Sequence, residues 1–186
     1  MQAERRALGA AERAAAGEAV ARRVLATREW STALRIALYV ALPDELPTDP
    51  LLRAVLGSSR ALLLPRSCPY GIEFAAERDL ARLRRAGSGA AEPGPEAPAE
   101  RLGPSDLVLA PGVAFDRHGG RLGRGGGDYD RVLSQRPRPT CFGLAFAFQL
   151  VEEIPRAPHD ERVDAVVTEL ELVRVRATRD RAGDPG

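Results

Sequence analysis

The sequence predicts an α/β domain built on a mainly parallel sheet, and three observations carry that prediction. An apolar run, Leu34 to Leu42, precedes a helix signal and then a second apolar run, Ala61 to Leu64. That strand–helix–strand rhythm belongs to parallel strands joined by a right-handed crossover. A third buried-strand pattern, Leu107-Val108-Leu109-Ala110, breaks at Pro111-Gly112 and leads through a glycine-rich loop to another helix start. Finally, 186 residues with 44% hydrophobic content suffice for one domain with a real core, expected over 1–175, with 176–186 as a frayed tail.

Taken in order, residues 3–28 are rich in Ala, Arg and Glu, with Leu8, Val20, Val24 and Leu25 as larger apolar positions, which predicts an amphipathic helix. Leu34–Leu42 is a strand bounded by Pro43. Thr48 or Asp49 caps a helix that carries Pro50 in its first turn and runs to about Leu56. Ala61–Leu64 is a short buried strand, and Tyr70 to Ala75 a pairing one. Arg82, Arg84 and Arg85 close a short charged helix, where cations suit the dipole. Residues 86–104 are crowded with Pro and Gly and lack periodicity, which reads as a mobile loop over a site. Past the glycine loop, a helix is expected over Asp130–Ser134 and a strand over Thr140–Ala145.

Composition narrows the function classes. A net charge of +1 argues against a dedicated nucleic-acid binder. No run approaches the ~18 apolar residues of a membrane span, and no signal peptide is visible. Cys68 and Cys141 lack metal-ligand spacing and read as thiols of a reducing compartment, so a cytoplasmic location is expected.

The chemistry concentrates between Asp106 and Leu133. Glycine fills six of the nine positions from Gly119 to Gly127, with Arg121 and Arg124 among them, and Asp128-Tyr129-Asp130 opens the following helix. Glycines let backbone N–H groups approach a ligand, and a helix N-terminus favours negative charge. Arginine forks grip phosphate, and a carboxylate at the rim can hold Mg²⁺. Glycine loops are also built for flexibility alone; the order strand, Pro-Gly break, basic loop, acid, helix favours a ligand. A Walker loop is excluded because all 27 basic residues are arginine. A dinucleotide fingerprint starting at Gly123 fails because Asp128 takes its third glycine place.

The stretch PGVAFDRHGGRLGRGGGDYD closely resembles the signature of the 5-formyltetrahydrofolate cyclo-ligase family, and PHDERVDAVVTE near the end resembles that family's closing motif. The resemblance covers roughly Gly9 to Glu169. It implies a three-layer α/β sandwich of the NagB/RpiA/CoA-transferase type acting as a monomer. The implied reaction is ATP- and Mg²⁺-dependent closure of 5-formyltetrahydrofolate to 5,10-methenyltetrahydrofolate.

By the same resemblance, Arg121, Leu122, Gly123, Arg124, Gly125, Gly126, Gly127, Asp128 and Tyr129 bind ATP. Arg121, Arg124 and Tyr129 serve catalysis, Glu45 and Tyr129 hold the folate, and Asp130 and Asp164 hold Mg²⁺. Gly89-Ala90-Ala91-Glu92-Pro93 resembles an element that covers the folate. His159 beside Asp160 could form an acid–base couple, though a structural role is expected.

Two departures support a second hypothesis. Asp128 stands where the family has the first tyrosine of Tyr-Tyr-Asp, and places negative charge beside a triphosphate. The basic element that opens the family's first helix has no clear counterpart, because ERRALGAAERAAAG aligns with the segment after it; Arg5 or Arg6 would have to substitute. The alternative is therefore a non-catalytic relative that binds folate or nucleotide without turnover. A different phosphoryl-transfer reaction on the same scaffold is a third, weaker reading.

Overall fold

The computed structural model describes residues 1–157 and 160–175, so the expected tail at 176–186 and His159 lie outside the described residues. The predicted first helix is interrupted. It forms α1 (Gln2–Ala7), α2 (Ala10–Leu25) and the short α3 (Arg28–Thr32). Gly9 breaks the first two, and its N–H donates to the Glu12 carboxylate at 2.8 Å, a capping interaction without a Ser or Thr. Thr27 caps α3, accepting from the Trp30 N–H at 3.1 Å.

The first strand, β1 (Arg35–Ala37), is shorter than the apolar run that predicts it; Leu38 still donates to the Leu63 carbonyl, and beyond it the chain leaves the sheet. Next come α4 (Asp49–Leu56), β2 (Ala61–Cys68) and β3 (Gly71–Ala76). Thr48 precedes α4, but its hydroxyl turns back to the Tyr39 carbonyl (2.8 Å) and holds the intervening loop instead of capping the helix. The expected charged helix is a single 3-10 turn, Leu80–Arg82.

The segment expected to be a loose cover, 86–104, contains β5 (Ala91–Glu92), which pairs with β4 (Arg84–Arg85), and β6 (Ala99–Glu100), which extends the main sheet along β3. It is tied down. Glu92 accepts from both the Ser67 N–H and hydroxyl at 2.9 Å, and Arg66 donates to the carbonyls of Gly94 and Ala97.

The remaining elements are β7 (Asp106–Ala110), β8 (Ala114–Asp116), β9 (Arg121–Leu122), α5 (Asp128–Leu133), β10 (Thr140–Leu144), β11 (Leu150–Val151), β12 (Ala165–Val167) and β13 (Leu172–Arg174). The main sheet has eight strands in the order β13-β12-β10-β7-β1-β2-β3-β6. Its centre, β12 through β2, is parallel, and the flanking pairs are antiparallel. The mixed α/β class with a mainly parallel sheet is therefore as expected.

The strand residues alternate between two buried clusters. Ile36, Leu38, Leu62, Leu64, Leu107 and Leu109 face a layer containing Val20 and Val24 of α2 and Leu51, Leu52 and Val55 of α4. Ala37, Leu63, Val108, Ala110 and Cys141 face the other side, against Phe115 and against Tyr129, Val132 and Leu133 of α5. Burial on both faces explains why these strands read as continuous apolar runs. It also fixes the site. The crossover through α4 lies on one face and α5 on the other, so the connections diverge between β1 and β7. Ligand crevices form at such a divergence, beyond the carboxyl ends of the strands.

Candidate active site

A cavity opens there. It has a volume of about 320 Å³ and is walled by Glu45 from the chain after β1, Pro111 and Gly112 from the end of β7, the loop from Arg121 to Gly127, and the first residues of α5. Gly125 (φ 93°) and Gly127 (φ 63°) hold the loop in left-handed conformations that a side chain would strain. Gly127 stands as the N-cap of α5, so the helix's free N–H groups face the loop.

The two loop arginines have different surroundings. Arg121 is 4% exposed, donates to Asp130 at 2.8 Å, and lies with its guanidinium carbon 5.3 Å from the Tyr129 ring centroid. Its buried Nε has no hydrogen-bond partner among the described residues. Arg124 is 54% exposed and reaches across the crevice to Glu45, which is 11% exposed, at 2.8 Å. The other Glu45 oxygen accepts from the Leu42 N–H at 3.0 Å, so the glutamate is oriented from behind.

Tyr129 is fully buried, edge-on to Phe74. Burial raises its phenol well above the ordinary tyrosine value, opposed by the Arg121 charge, so it stays a neutral donor. Asp128 pairs with Arg131 one turn along α5, so its charge is neutralised within the helix. The β2–β3 hairpin packs onto this pair, since a Cβ on Gly71 (φ 126°) would collide with both side chains.

Asp130 and Asp164 are not brought together at the cavity. Asp130 lines it, with its second oxygen accepting from the Glu161 N–H at 3.2 Å. Asp164 does not line it; one carboxylate oxygen takes Arg138 and the other the Cys141 N–H at 2.8 Å. The physical reason is local. Asp164 precedes β12, where it bonds to the start of the neighbouring β10 and its charge acts on buried Cys141. The Cys141 thiol is pushed up to about 12, by burial first and Asp164 second.

Among the described residues no group of three or more His, Cys, Asp or Glu could hold a metal unaided. No residue of 86–104 lines the cavity, so the expected folate cover is not part of this wall. Sequence reasoning missed Ile154 and Pro155, which line it, and Asp160 as a wall residue in its own right. Nothing local marks the first two; Asp160 lies in the closing motif already singled out.

An open crevice at the divergence of a parallel sheet, with basic glycine-loop walls and a helix N-terminus, defines a class: an α/β protein shaped for an anionic ligand. The profile of the 5-formyltetrahydrofolate cyclo-ligase family matches residues 1–169, and the chain belongs to that family. It is similar to the 5-formyltetrahydrofolate cyclo-ligase of Mycolicibacterium smegmatis (35% identical, covering 77% of this chain and 80% of that one). It is also similar to that of Mus musculus (29% identical, 88% and 87%). Its structure matches the Aquifex aeolicus 5,10-methenyltetrahydrofolate synthetase with a TM-score of 0.80 at 32% identity, covering 98% of this chain and 92% of that one.

Proposed function

We propose that the chain closes 5-formyltetrahydrofolate to 5,10-methenyltetrahydrofolate, using ATP and Mg²⁺ and releasing ADP and phosphate. One observation carries the site assignment: Arg121, buried and fixed by Asp130, keeps an unpartnered Nε beside the glycine loop. On a cavity wall, which Arg121 lines and Arg5 with its own unpartnered Nε does not, a buried donor without an acceptor points to a ligand that supplies one, and a phosphate oxygen does so.

A formamide is a weak electrophile because its nitrogen donates into the carbonyl. In the proposed reaction the formyl oxygen of the folate attacks the γ-phosphorus of ATP, and the bond to the ADP oxygen breaks. N10 then attacks the activated formyl carbon; the C–O bond to phosphate breaks and the N10 proton is lost. Phosphoryl transfer depends mainly on positioning and charge neutralisation. Arg121, Arg124, the loop N–H groups from Leu122 to Gly127 and the N–H groups of Asp128 and Tyr129 hold the phosphates. Glu45 orients the pterin, and the Tyr129 phenol donates a hydrogen bond near the reacting centre.

The donor set suits Mg²⁺, which is usually held through one or two carboxylates plus substrate phosphates. Asp130 is the cavity carboxylate that would hold it, through the lone pairs left beside its bonds to Arg121 and the Glu161 N–H, and the ion would neutralise charge between phosphates. Asp164 lies off the cavity wall, held by Arg138 and the Cys141 N–H, so we assign it to bracing the start of β10. The free thiols Cys68 and Cys141 support a reducing, cytoplasmic setting.

The test is conversion of 5-formyltetrahydrofolate with Mg-ATP, followed by methenyl absorbance, beside Asp128→Tyr. Turnover by the natural sequence is expected. Folate binding without turnover, restored by the tyrosine, would establish the non-catalytic alternative instead.

A further inference from the structure

We propose that Arg5 is a positioning residue for the folate: through its ion pair with Asp44 it fixes the turn that presents Glu45 to the cavity. The inference rests on the folate role of Glu45. Arg5 lies on the short first helix, yet its side chain is only 4% exposed, and it donates to the Asp44 carboxylate, which is 28% exposed. Arginine is seldom buried unless paired, and here the Nε is buried without a partner among the described residues. A surface arginine of α1 needing only solubility would not be held this way.

The consequence runs through the turn. The Glu45 N–H donates to the Leu42 carbonyl at 2.9 Å, and the Leu42 N–H donates to a Glu45 carboxylate oxygen at 3.0 Å. Asp44 sits inside this doubly closed turn, so anchoring Asp44 anchors the glutamate. Arg13 of α2 donates to the Arg5 carbonyl at 3.1 Å, which ties the anchor to the helical layer packed on the sheet. Arg5 is thus committed to the folate wall and not to the loop that would hold phosphate.

The experiment is steady-state kinetics of the full chain for Arg5→Ala, Asp44→Asn and the double variant, with melting temperatures and direct titration of 5-formyltetrahydrofolate. Each single variant should raise the folate KM and Kd about tenfold and move the ATP KM less than about twofold, and the double variant should be no worse than Arg5→Ala. A rise in ATP KM with folate KM unchanged would assign Arg5 to the nucleotide and overturn the proposal. Additive losses, or a fall in kcat alone with the melting temperature, would overturn it too. If Arg5→Ala does not fold, Asp44→Asn removes the same pair from its more exposed end and decides the matter. Absence of turnover by the unmodified chain would sink the cyclo-ligase reading; the folate titration still reads the positioning role.

Discussion

Arg121 and Arg124 stand three residues apart on one glycine loop, and the fold treats them in opposite ways. Arg121 is buried, braced by Asp130 and laid over Tyr129; Arg124 is mostly exposed and spans the crevice to Glu45. A charge already fixed in a dry site needs no reorganisation when negative charge develops, and that is where electrostatic catalysis is strongest. A charge on an exposed, flexible stem is screened and contributes little in any one position. On the proposed reaction the loop would divide labour along its length, with Arg121 serving the transition state and Arg124 capture. Because Arg124 and Glu45 hold each other, a nucleotide that took the arginine would also free a glutamate oxygen for the proposed folate contact.

The largest expected effect follows at the buried end. Arg121→Ala should lower kcat/KM by about 10³, with most of the loss in kcat. It should also destabilise the fold by about 3 kcal/mol, because the mostly buried Asp130 is left without its partner. Arg121→Lys should not restore the rate, since a point charge cannot serve Asp130 and a phosphate in the same fork. Initial rates and urea unfolding check both claims. Arg124→Ala should raise the ATP KM about tenfold, leave kcat within a few-fold, and change stability by no more than about 0.5 kcal/mol. Wild-type ATP KM should climb with salt more steeply than that of the variant. Equal kcat losses from the two alanine variants would abolish the distinction between the two ends.

Between these ends lies the loop backbone. Gly125 has φ 93° and open space around it, so an added methyl meets no neighbour but strains the chain. Gly125→Ala should cost about 1–2 kcal/mol of local strain, raising the ATP KM by about the tenfold of that free energy with Arg121's contribution to kcat intact. A kcat loss as large as that of Arg121→Ala would mean the two ends move as one body.

The sheet centre was legible because burial on both faces leaves unbroken apolar runs, and the loop was legible because its glycines and arginines are contiguous. What escaped had its cause elsewhere in the chain. β4, β5 and β6 are two residues each, in or beside a stretch of Pro and Gly, and only pairing makes them strands, β4 with β5 across a short turn and β6 with the distant β3. The interruption at Gly9 uses the Glu12 carboxylate where a Ser or Thr signal is usually sought. Glu45 and Asp164 entered through resemblance; the structure puts Glu45 on the cavity wall and gives both oxygens of Asp164 other partners. The Arg5–Asp44 pair joins residues 39 positions apart, and no local pattern announces it.

The smallest effect probes the buried end through pH. Burial raises the Tyr129 phenol above its ordinary value of 10.0, so the folded chain keeps a proton that the unfolded chain gives up. The phenol's contribution to stability is thus complete below about pH 10 and falls as pH rises beyond it, by about 1 kcal/mol over the first unit for each such phenol. Tyr39 is buried and raised in the same sense, and the Cys141 thiol, raised from 9.0 to about 12, adds its own loss from about pH 9, so three buried groups share this alkaline limb. Tyr129→Phe should remove roughly a quarter of the slope in urea midpoints measured from pH 9 to 11, while Arg124→Ala leaves it unchanged. If Tyr129→Phe left the whole slope in place, the phenol would be solvated in the folded state. Arg121 would then lie over a wet ring, and the contrast between a dry and an exposed arginine would lose its physical basis.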